Sequence, residues 1–529
     1  MVDNATPRAS KKLLSDAAVQ RFIVDGYLLL QADCDPAVHS LVHEQLDQVL
    51  ETESWPGNNI LPRIPIMHSV LNCSAVTGAL TSLLGPDYLV HPHRAVHRSN
   101  PVASESAHPI ATDISADGTP MGSGSTAASV WHQDAQSPLA RARHHLPRHL
   151  IGFYFPHDTP RSMGPTRLQA GSYLWPQPPA QATGVVMPDQ LPAGSFMLVH
   201  FDMVHAGFAN LSQQTRYMVK FVFNRMSPPT KPTWAHTDAA WLTPTHEATQ
   251  KLEPAWQHIW HWLLGTPQQH PAGDVTALQS SDFASAINAS YRRYSPEELA
   301  QALVAHAGKD RHKRLLLPSR DASPPVKDDI EGYPRRWNER AVVMQNEAYA
   351  LAAQGLDAIS TLLGLTEHSD PWIQVNAVFA LGEIGTMNAQ VEHALLRLLK
   401  SPEQVVVRQT IDTIAVIHAT STVFLPRFEH LLLRPKTDWR QPLVGRGWTA
   451  HNQIKVNIMF ACVSLIRTDT DTEKLQALLT LGLEDDGYVA EIAVAGLRRI
   501  GTTTALAQAL EYCAERTWDV ALLGAPRGY

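Results

Sequence analysis

The sequence predicts a multidomain protein: an N-terminal β-sandwich or barrel with flanking helices, followed by an all-α array of stacked helix pairs. Three observations predict it. Short aromatic and β-branched runs, bounded by Gly, Pro, Asn or Ser, crowd the first 230 residues. Beyond about residue 340 that strand signature gives way to helical periodicity. Within the helical part a pattern of small and apolar residues recurs, with starts 34, 47 and 35 residues apart.

At 529 residues the chain is long enough for several domains. Hydrophobic residues make up 44% and charged residues 18%, which excludes a wholly disordered chain. A net charge of −7 gives no electrostatic support to nucleic-acid or membrane-surface binding. Four cysteines, Cys34, Cys73, Cys462 and Cys513, lie far apart without a CxxC pair, so no disulfide framework is expected. The opening MVDNATPRASKK has no apolar stretch and reads as no signal peptide. No run approaches the length of a membrane span, and the expected location is cytoplasmic.

In chain order, Asp16 to Val24 and Ala37 to Leu50 read as helices, the first capped by Ser15. Residues 99–129 are small, polar and punctuated by Pro and Gly, the composition of a long loop. His149 to Phe155, Ser195 to Phe201 and Tyr217 to Phe223 read as strands. Between the first ligand motif below and these strands, RARHHLPRH (141–149) reads as an exposed polar loop. These elements define a domain over 1–230. Residues 231–338 read as a connecting region, with a Trp-rich helix (PAWQHIWHWLL), a basic helix end (KDRHKR, 309–314) and a Pro-rich linker near Ser323 to Val326. Residues 339–529 carry the repeats. From Ile373, Ala377, Ala380, Leu381, Ile384 and Gly385 follow at +4, +7, +8, +11 and +12. From Val489 the same offsets give Ala493, Gly496, Leu497, Ile500 and Gly501. Such offsets form one face of a helix.

With 26 histidines the chain invites a search for metal ligands. A two-His-one-carboxylate site needs His-x-Asp plus a distant His. Residues i and i+2 of a strand point the same way, so one extended segment can deliver two ligands. Four such spacings occur: His132/Asp134, His200/Asp202, His236/Asp238 and His368/Asp370. The last opens a helical repeat, where i and i+2 diverge. The third sits in an irregular segment, and the second has His205 too near for a separate strand. His132/Asp134 leaves His205 as the third ligand, 71 residues downstream. After His205 the chain reads HAGFANLSQQTR, which places Arg216 on the neighbouring strand, where a guanidinium can hold a carboxylate through two hydrogen bonds.

Four segments in order carry a family resemblance: FIVDGYLLL (22–30), WHQD (131–134), GPTRLQAGSY (164–173) and LPAGSFMLVHFDMVHAGFANLSQQTR (191–216). Together they resemble the phytanoyl-CoA dioxygenase family of Fe(II)/2-oxoglutarate-dependent oxygenases over about 13–225. Ala170 and Tyr173 depart from the family's usual Pro and His. The resemblance implies a double-stranded β-helix (jelly roll) with iron on His132, Asp134 and His205. It also implies 2-oxoglutarate on Arg216 with Thr166 and Ser212, O2 as oxidant, and ascorbate as an in vitro reductant. A hydroxyl in a turn also serves as a local backbone partner, so Thr166 and Ser212 have that alternative. The motifs DPWIQVNAVFALGEIG and DDGYVAEIAVAGLRRIG resemble HEAT repeats. The implied activity is oxidation of an unactivated C–H of a small-molecule substrate, hydroxylation by default. Related halogenases carry a small residue where Asp134 stands, so halogenation is not expected. Two other readings use the same residues: an inactive jelly roll on a repeat scaffold that docks a protein partner, and a jelly-roll metalloenzyme that uses no oxo acid.

Overall fold

In a computed structural model the described residues are 10–53, 56–102, 131–134, 142–176, 184–237, 240–242, 252–266, 268–315, 343–417, 422–440, 449–467, 472–485 and 487–516; the side chains of 308–315 are not among them. The long loop proposed for 99–129 and the linker near 323–326 fall almost wholly outside them, as do the side chains of KDRHKR.

Helix α1 (Asp16–Asp25) starts where the Ser15 side chain accepts from the Ala18 N–H, and it stops at Gly26. Gly26 has φ 75°, and a Cβ there would strike the Met203 side chain. The turn delivers the chain into β1 (Tyr27–Gln31). Helices α2 (Pro36–Thr52), α3 (Ile60–Arg63), α4 (Met67–Leu71) and α5 (Ser74–Leu84) follow. The remaining strands are β2 (Leu89–Ser99), β3 (His149–Phe155), β4 (Thr159–Pro160), β5 (Arg167–Gln169), β6 (Val185–Val186), β7 (Gln190–Leu191), β8 (Ser195–His200), β9 (His205–Ala206) and β10 (Arg216–Asn224).

Five long strands make one antiparallel sheet in the order β1-β8-β3-β10-β2. The short strands form a three-stranded sheet, β6-β5-β9, and a two-stranded pair, β4-β7. A bridge between His132 and His205 continues the smaller sheet by one position. Phe153, Lys220 and Ala95 lie in register across β3, β10 and β2, and the Phe153 ring sits 5.4 Å from that of His205. One face of the large sheet thus looks at the short strands. The opposite face, with Phe221 and Arg94, looks at helices.

Beyond the strands come α6 (Glu253–Leu264), α7 (Phe283–Ala289), α8 (Pro296–Leu315), α9 (Asn346–Ala353), α10 (Ile359–Leu365), α11 (Pro371–Ile384), α12 (Ala389–Leu398), α13 (Gln404–Ile417), α14 (Leu425–Leu433), α15 (Ala450–Leu465), α16 (Thr472–Gly482), α17 (Gly487–Ile500) and α18 (Thr503–Glu515). Helices α11, α13, α15 and α17 pack one against the next as a row, and α12, α14, α16 and α18 alternate with them. The row needs close approach, which explains the small residues of the repeat. Ala377, Ala380, Ala461 and Ala493 have no exposed surface, and a Cβ at Gly496 would meet Leu479 at 2.8 Å. Helix α11 is buried over most of its circumference, from Trp372 to Gly382. A helix apolar on every side needs partners on every side.

The β part supplies one of those partners. The apolar core of the helical array takes in Ala142 and Met226, and the core of the β part takes in Trp256, Ile259, Trp260 and Leu263 of α6. Along the seam Arg94 pairs with Glu491 at 2.6 Å, and the Tyr488 hydroxyl meets His93 Nδ1 at 2.6 Å. Arg499 pairs with Asp87 at 3.0 Å, and the Ser464 hydroxyl donates to the Met226 carbonyl oxygen.

The seam corrects one expectation. RARHHLPRH is no exposed loop: Arg143, His144, His145 and Arg148 are all buried. Arg143 pairs with Asp202 at 2.6 Å. Arg148 and His144 both reach Glu383 of α11, at 2.8 and 3.0 Å, and His145 stacks on Tyr349. The polar composition reads as solvent-facing, but Arg143, His144, His145 and Arg148 each meet a partner supplied from far along the chain, while Arg141 lies outside the described residues. The four cysteines form no disulfide with one another. Among the described residues no helix is long and apolar enough to cross a membrane.

Candidate metal centre

Three of the four His-x-Asp spacings have structural partners at their described residues; Asp238 lies outside these. His200 Nε2 faces the Leu146 carbonyl oxygen while Asp202 holds Arg143. His236 pairs with Asp16. Asp370 caps α11 by accepting from the Trp372 N–H, as its place at the start of a repeat predicts.

The fourth meets its distant partner. The ligand atoms of His132, Asp134 and His205 lie within 4.8 Å of one another. Backbone pairing makes this meeting: the His132 N–H donates to the His205 carbonyl oxygen at 3.1 Å, and the reverse bond is 2.9 Å. The two rings stand 4.4 Å apart, centre to centre. Between the ligands, Gln133 points the other way and donates to the carbonyl oxygens of Trp175 and Asp202, which anchors the extended segment. His205 Nδ1 lies 2.9 Å from the Met203 carbonyl oxygen. That acceptor fixes the proton on Nδ1 and turns Nε2 into the free electron-pair donor, the arrangement a metal-bound imidazole needs.

The electrostatics suit a cation. Burial would raise the Asp134 carboxyl, but Lys220, His205 and His132 outweigh it and hold the group below the usual carboxylate range. Burial, and next the neighbouring His132, push His205 down to about 4, so its ring is neutral at physiological pH and able to ligate. Two imidazoles and one carboxylate brought together by backbone pairing, with no further protein ligand among the described residues, match the donor set of non-haem Fe(II) sites.

Arg216 begins β10 at the end away from Asn224. It is buried, its guanidinium donates to the Gly164 carbonyl oxygen, and its Nε has no hydrogen-bond partner among the described residues. Burial lowers it to about 10, which leaves it a cation. Gly164 has φ 66°, and a Cβ there would run into the backbone of Phe208 and Ala209, so this close approach needs glycine. Thr166 is buried just ahead of β5, whose Leu168 pairs with His205. Ser212 lies in the turn before β10. Its hydroxyl bonds to Asn210 Oδ1 at 2.7 Å and to the Gln214 carbonyl oxygen at 3.1 Å. For Ser212 the local alternative is the one the geometry displays. Asn210 is the organiser of that turn, donating also to the Ser99 carbonyl oxygen.

Two residues escaped the sequence reading. Lys220 Nζ lies 2.8 Å from Asp134 Oδ2, with both side chains more than nine-tenths buried. His97 of β2 lies opposite Met218, and its Nε2 has no partner among the described residues. Burial and then Lys220 push His97 down to about 3. The available signal was parity: Arg216, Met218 and Lys220 alternate along RYMVKFVF, so the second charge of an apolar strand shares a face with Arg216. Trp131, beside the first ligand, packs under the Arg167 guanidinium at 4.6 Å.

Residues 110–218 match the family model described as phytanoyl-CoA dioxygenase (PhyH). That stretch contains His132, Asp134, Thr166, His205, Ser212 and Arg216. A search of curated proteins finds no match. Among solved structures the chain is similar to a non-heme monooxygenase, ThoJ, in a nickel complex, at 17% identity and TM-score 0.28, covering 46% of this chain and 93% of that one. It is similar also to a non-heme alpha ketoglutarate dependent carbocyclase, SnoK, from nogalamycin biosynthesis, at 16% identity and TM-score 0.31, covering 41% and 88%. A third is EctD from S. alaskensis with 2-oxoglutarate and 5-hydroxyectoine, at 13% identity and TM-score 0.31, covering 41% and 78%.

Proposed function

We propose that this chain is an Fe(II)- and 2-oxoglutarate-dependent oxygenase acting on a small molecule. The observation that carries the reading is the convergence of His132, Asp134 and His205 within 4.8 Å, inside the stretch that matches the PhyH family. On this reading the sheets form a double-stranded β-helix, and the C-terminal helix pairs are HEAT-like repeats docked on it.

The donor set fits iron, and the unpartnered Nε of buried Arg216 fits an incoming carboxylate. His132, Asp134 and His205 would hold the metal, leaving positions for an oxo acid and O2. With these bound, the metal supplies the oxidising power to break an unactivated C–H bond, with succinate and CO2 as coproducts and hydroxylation as the default outcome.

The chain's own residues supply the rest. The Met203 carbonyl keeps His205 in the ligating tautomer. Gln133 keeps the His132–Asp134 segment extended. Arg216 receives the distal carboxylate of 2-oxoglutarate, with the Thr166 hydroxyl as a second donor. Ser212 acts on that subsite through the Asn210 turn that leads into Arg216. Phe153 beside His205 excludes water from one side.

The test is succinate release from 2-oxoglutarate with Fe(II) and ascorbate. Wild type should release succinate and Asp134→Ala should not. Absence of turnover in wild type across a broad metabolite screen, with no Fe(II) binding, would refute the reading.

A further inference from the structure

Two cations share the face of β10 that looks at the three ligands. Arg216 and Lys220 are four residues apart, about 13 Å along a strand. They have different surroundings. Arg216 sits at the Gly164 end with its Nε unpartnered. Lys220 sits at the metal end, more than nine-tenths buried, on Asp134. Across the sheet, Ala95 lies opposite Lys220 and His97 opposite Met218, so His97 borders the same space. His97 and Lys220 thus stand on the same face of neighbouring strands, two residues apart in the register.

The charges in this interior do not balance once the proposed metal and cosubstrate are counted. The two positive charges of Fe(II) match the two negative charges of 2-oxoglutarate. Asp134 matches one of the two cations. Among the described residues facing the cluster no second carboxylate appears, and His97 is neutral. One positive charge is left over among buried side chains. An uncompensated buried cation is costly, and it is kept where something brings the counter-charge. Arg216 is committed to the cosubstrate on the reading above, so the surplus belongs at Lys220. Beside it His97 Nε2, buried and unpartnered, offers a second polar atom at the same place.

We propose that Lys220 and His97 form the subsite for an anionic group of the substrate, a carboxylate, so that the substrate is an acid oxidised close to that group. This inference rests on the proposed function and deepens it. Asp134 shares Lys220 with the incoming carboxylate: one Asp134 oxygen faces the metal, and the other keeps the ammonium oriented. The substrate acid takes the remaining ammonium hydrogens and the His97 N–H. The subsite selects by charge, because an ester or amide of the same shape leaves the ammonium without a counter-ion.

The experiment uses the full-length protein loaded anaerobically with Mn(II) and 2-oxoglutarate. It is titrated calorimetrically with matched pairs: phenylacetate against phenylacetamide, and hexanoate against hexanamide. Each acid should bind about tenfold or more tightly than its amide, the least expected of a charge-assisted hydrogen bond. Lys220→Met should bring acid and amide to about equal affinity while leaving 2-oxoglutarate affinity within about threefold, because Arg216 holds the distal carboxylate. Lys220→Arg should retain the preference. Lys220→Gln, which keeps a polar end beside Asp134, repeats the measurement should the methionine variant fold poorly by circular dichroism. Equal binding of acids and amides to wild type, or no binding of any acid, overturns the proposal. So does a parallel loss of acid and 2-oxoglutarate affinity in Lys220→Met, which assigns Lys220 to the cosubstrate. A wild type that binds neither Mn(II) nor 2-oxoglutarate overturns instead the oxygenase reading on which it rests.

Discussion

Replacing Glu383 by glutamine removes one charge from the seam between the strands and the helical row and leaves the shape nearly unchanged. Glu383 is on α11 with its side chain 6% exposed, 2.8 Å from Arg148 Nε and 3.0 Å from His144 Nδ1. Burial would raise its carboxyl; Arg148, then His144, reverse this and hold it at about 2, against an ordinary 4.5. That gap corresponds to about 3 kcal/mol of stability. Breaking a buried pair while its cation stays buried costs about 3–5 kcal/mol by an independent route. Both arguments put the loss in Glu383→Gln near 3 kcal/mol at neutral pH. The sign of the pH dependence follows from the lowered value. The stabilisation is complete above the unfolded carboxyl's pKa and fades as pH falls from about 4.5 toward 2, so the variant and wild type should converge in acid. Urea unfolding followed by circular dichroism, at about pH 7 and about pH 3, measures the difference. The double variant Glu383→Leu/Arg148→Met, which removes both members of the closer ion pair, should recover much of the loss. A neutral-pH difference below about 1 kcal/mol, or one that does not shrink in acid, would refute the claim that this ion pair fastens the two parts.

Three further outcomes are expected. His205→Ala should lose measurable Fe(II) affinity in anaerobic calorimetry, since two remaining ligands hold the ion poorly; wild-type affinity would remove His205 from the metal site. Arg216→Leu should raise the KM for 2-oxoglutarate by the equivalent of about 2–5 kcal/mol while sparing Fe(II) affinity, and an unchanged KM would point to another cation. A chain ended near residue 230 should aggregate in light scattering, because it exposes the apolar surface that covers Trp256, Trp260 and Leu263 and strips Tyr488 and Glu491 from β2. A soluble fragment with full activity would make the helices an independent module.

Much of the candidate metal cluster was legible in the sequence, for a physical reason. Two ligands at i and i+2 exploit the two-residue period of a strand, and that period is written locally in WHQD. The helical part was legible for the same kind of reason: the small residues at +4, +7 and +8 mark a helix face, and the Asp370 cap stands where the repeat begins. Signals that act within one turn or one strand survive in the order of residues. Composition misled over RARHHLPRH, because a buried arginine and a solvated one look alike until the partner is known, and Glu383 lies 235 residues beyond Arg148. Lys220 and His97 were likewise illegible as a pair: they face one space through the register that sets Ala95 against Lys220 and Met218 against His97, and register belongs to the folded sheet. Local periodicity chose the candidate ligands and the helix faces. Long-range pairing, which fixes which buried charges meet, was decided by the tertiary structure alone, because the cost of an unpaired buried charge acts only once distant segments have come together.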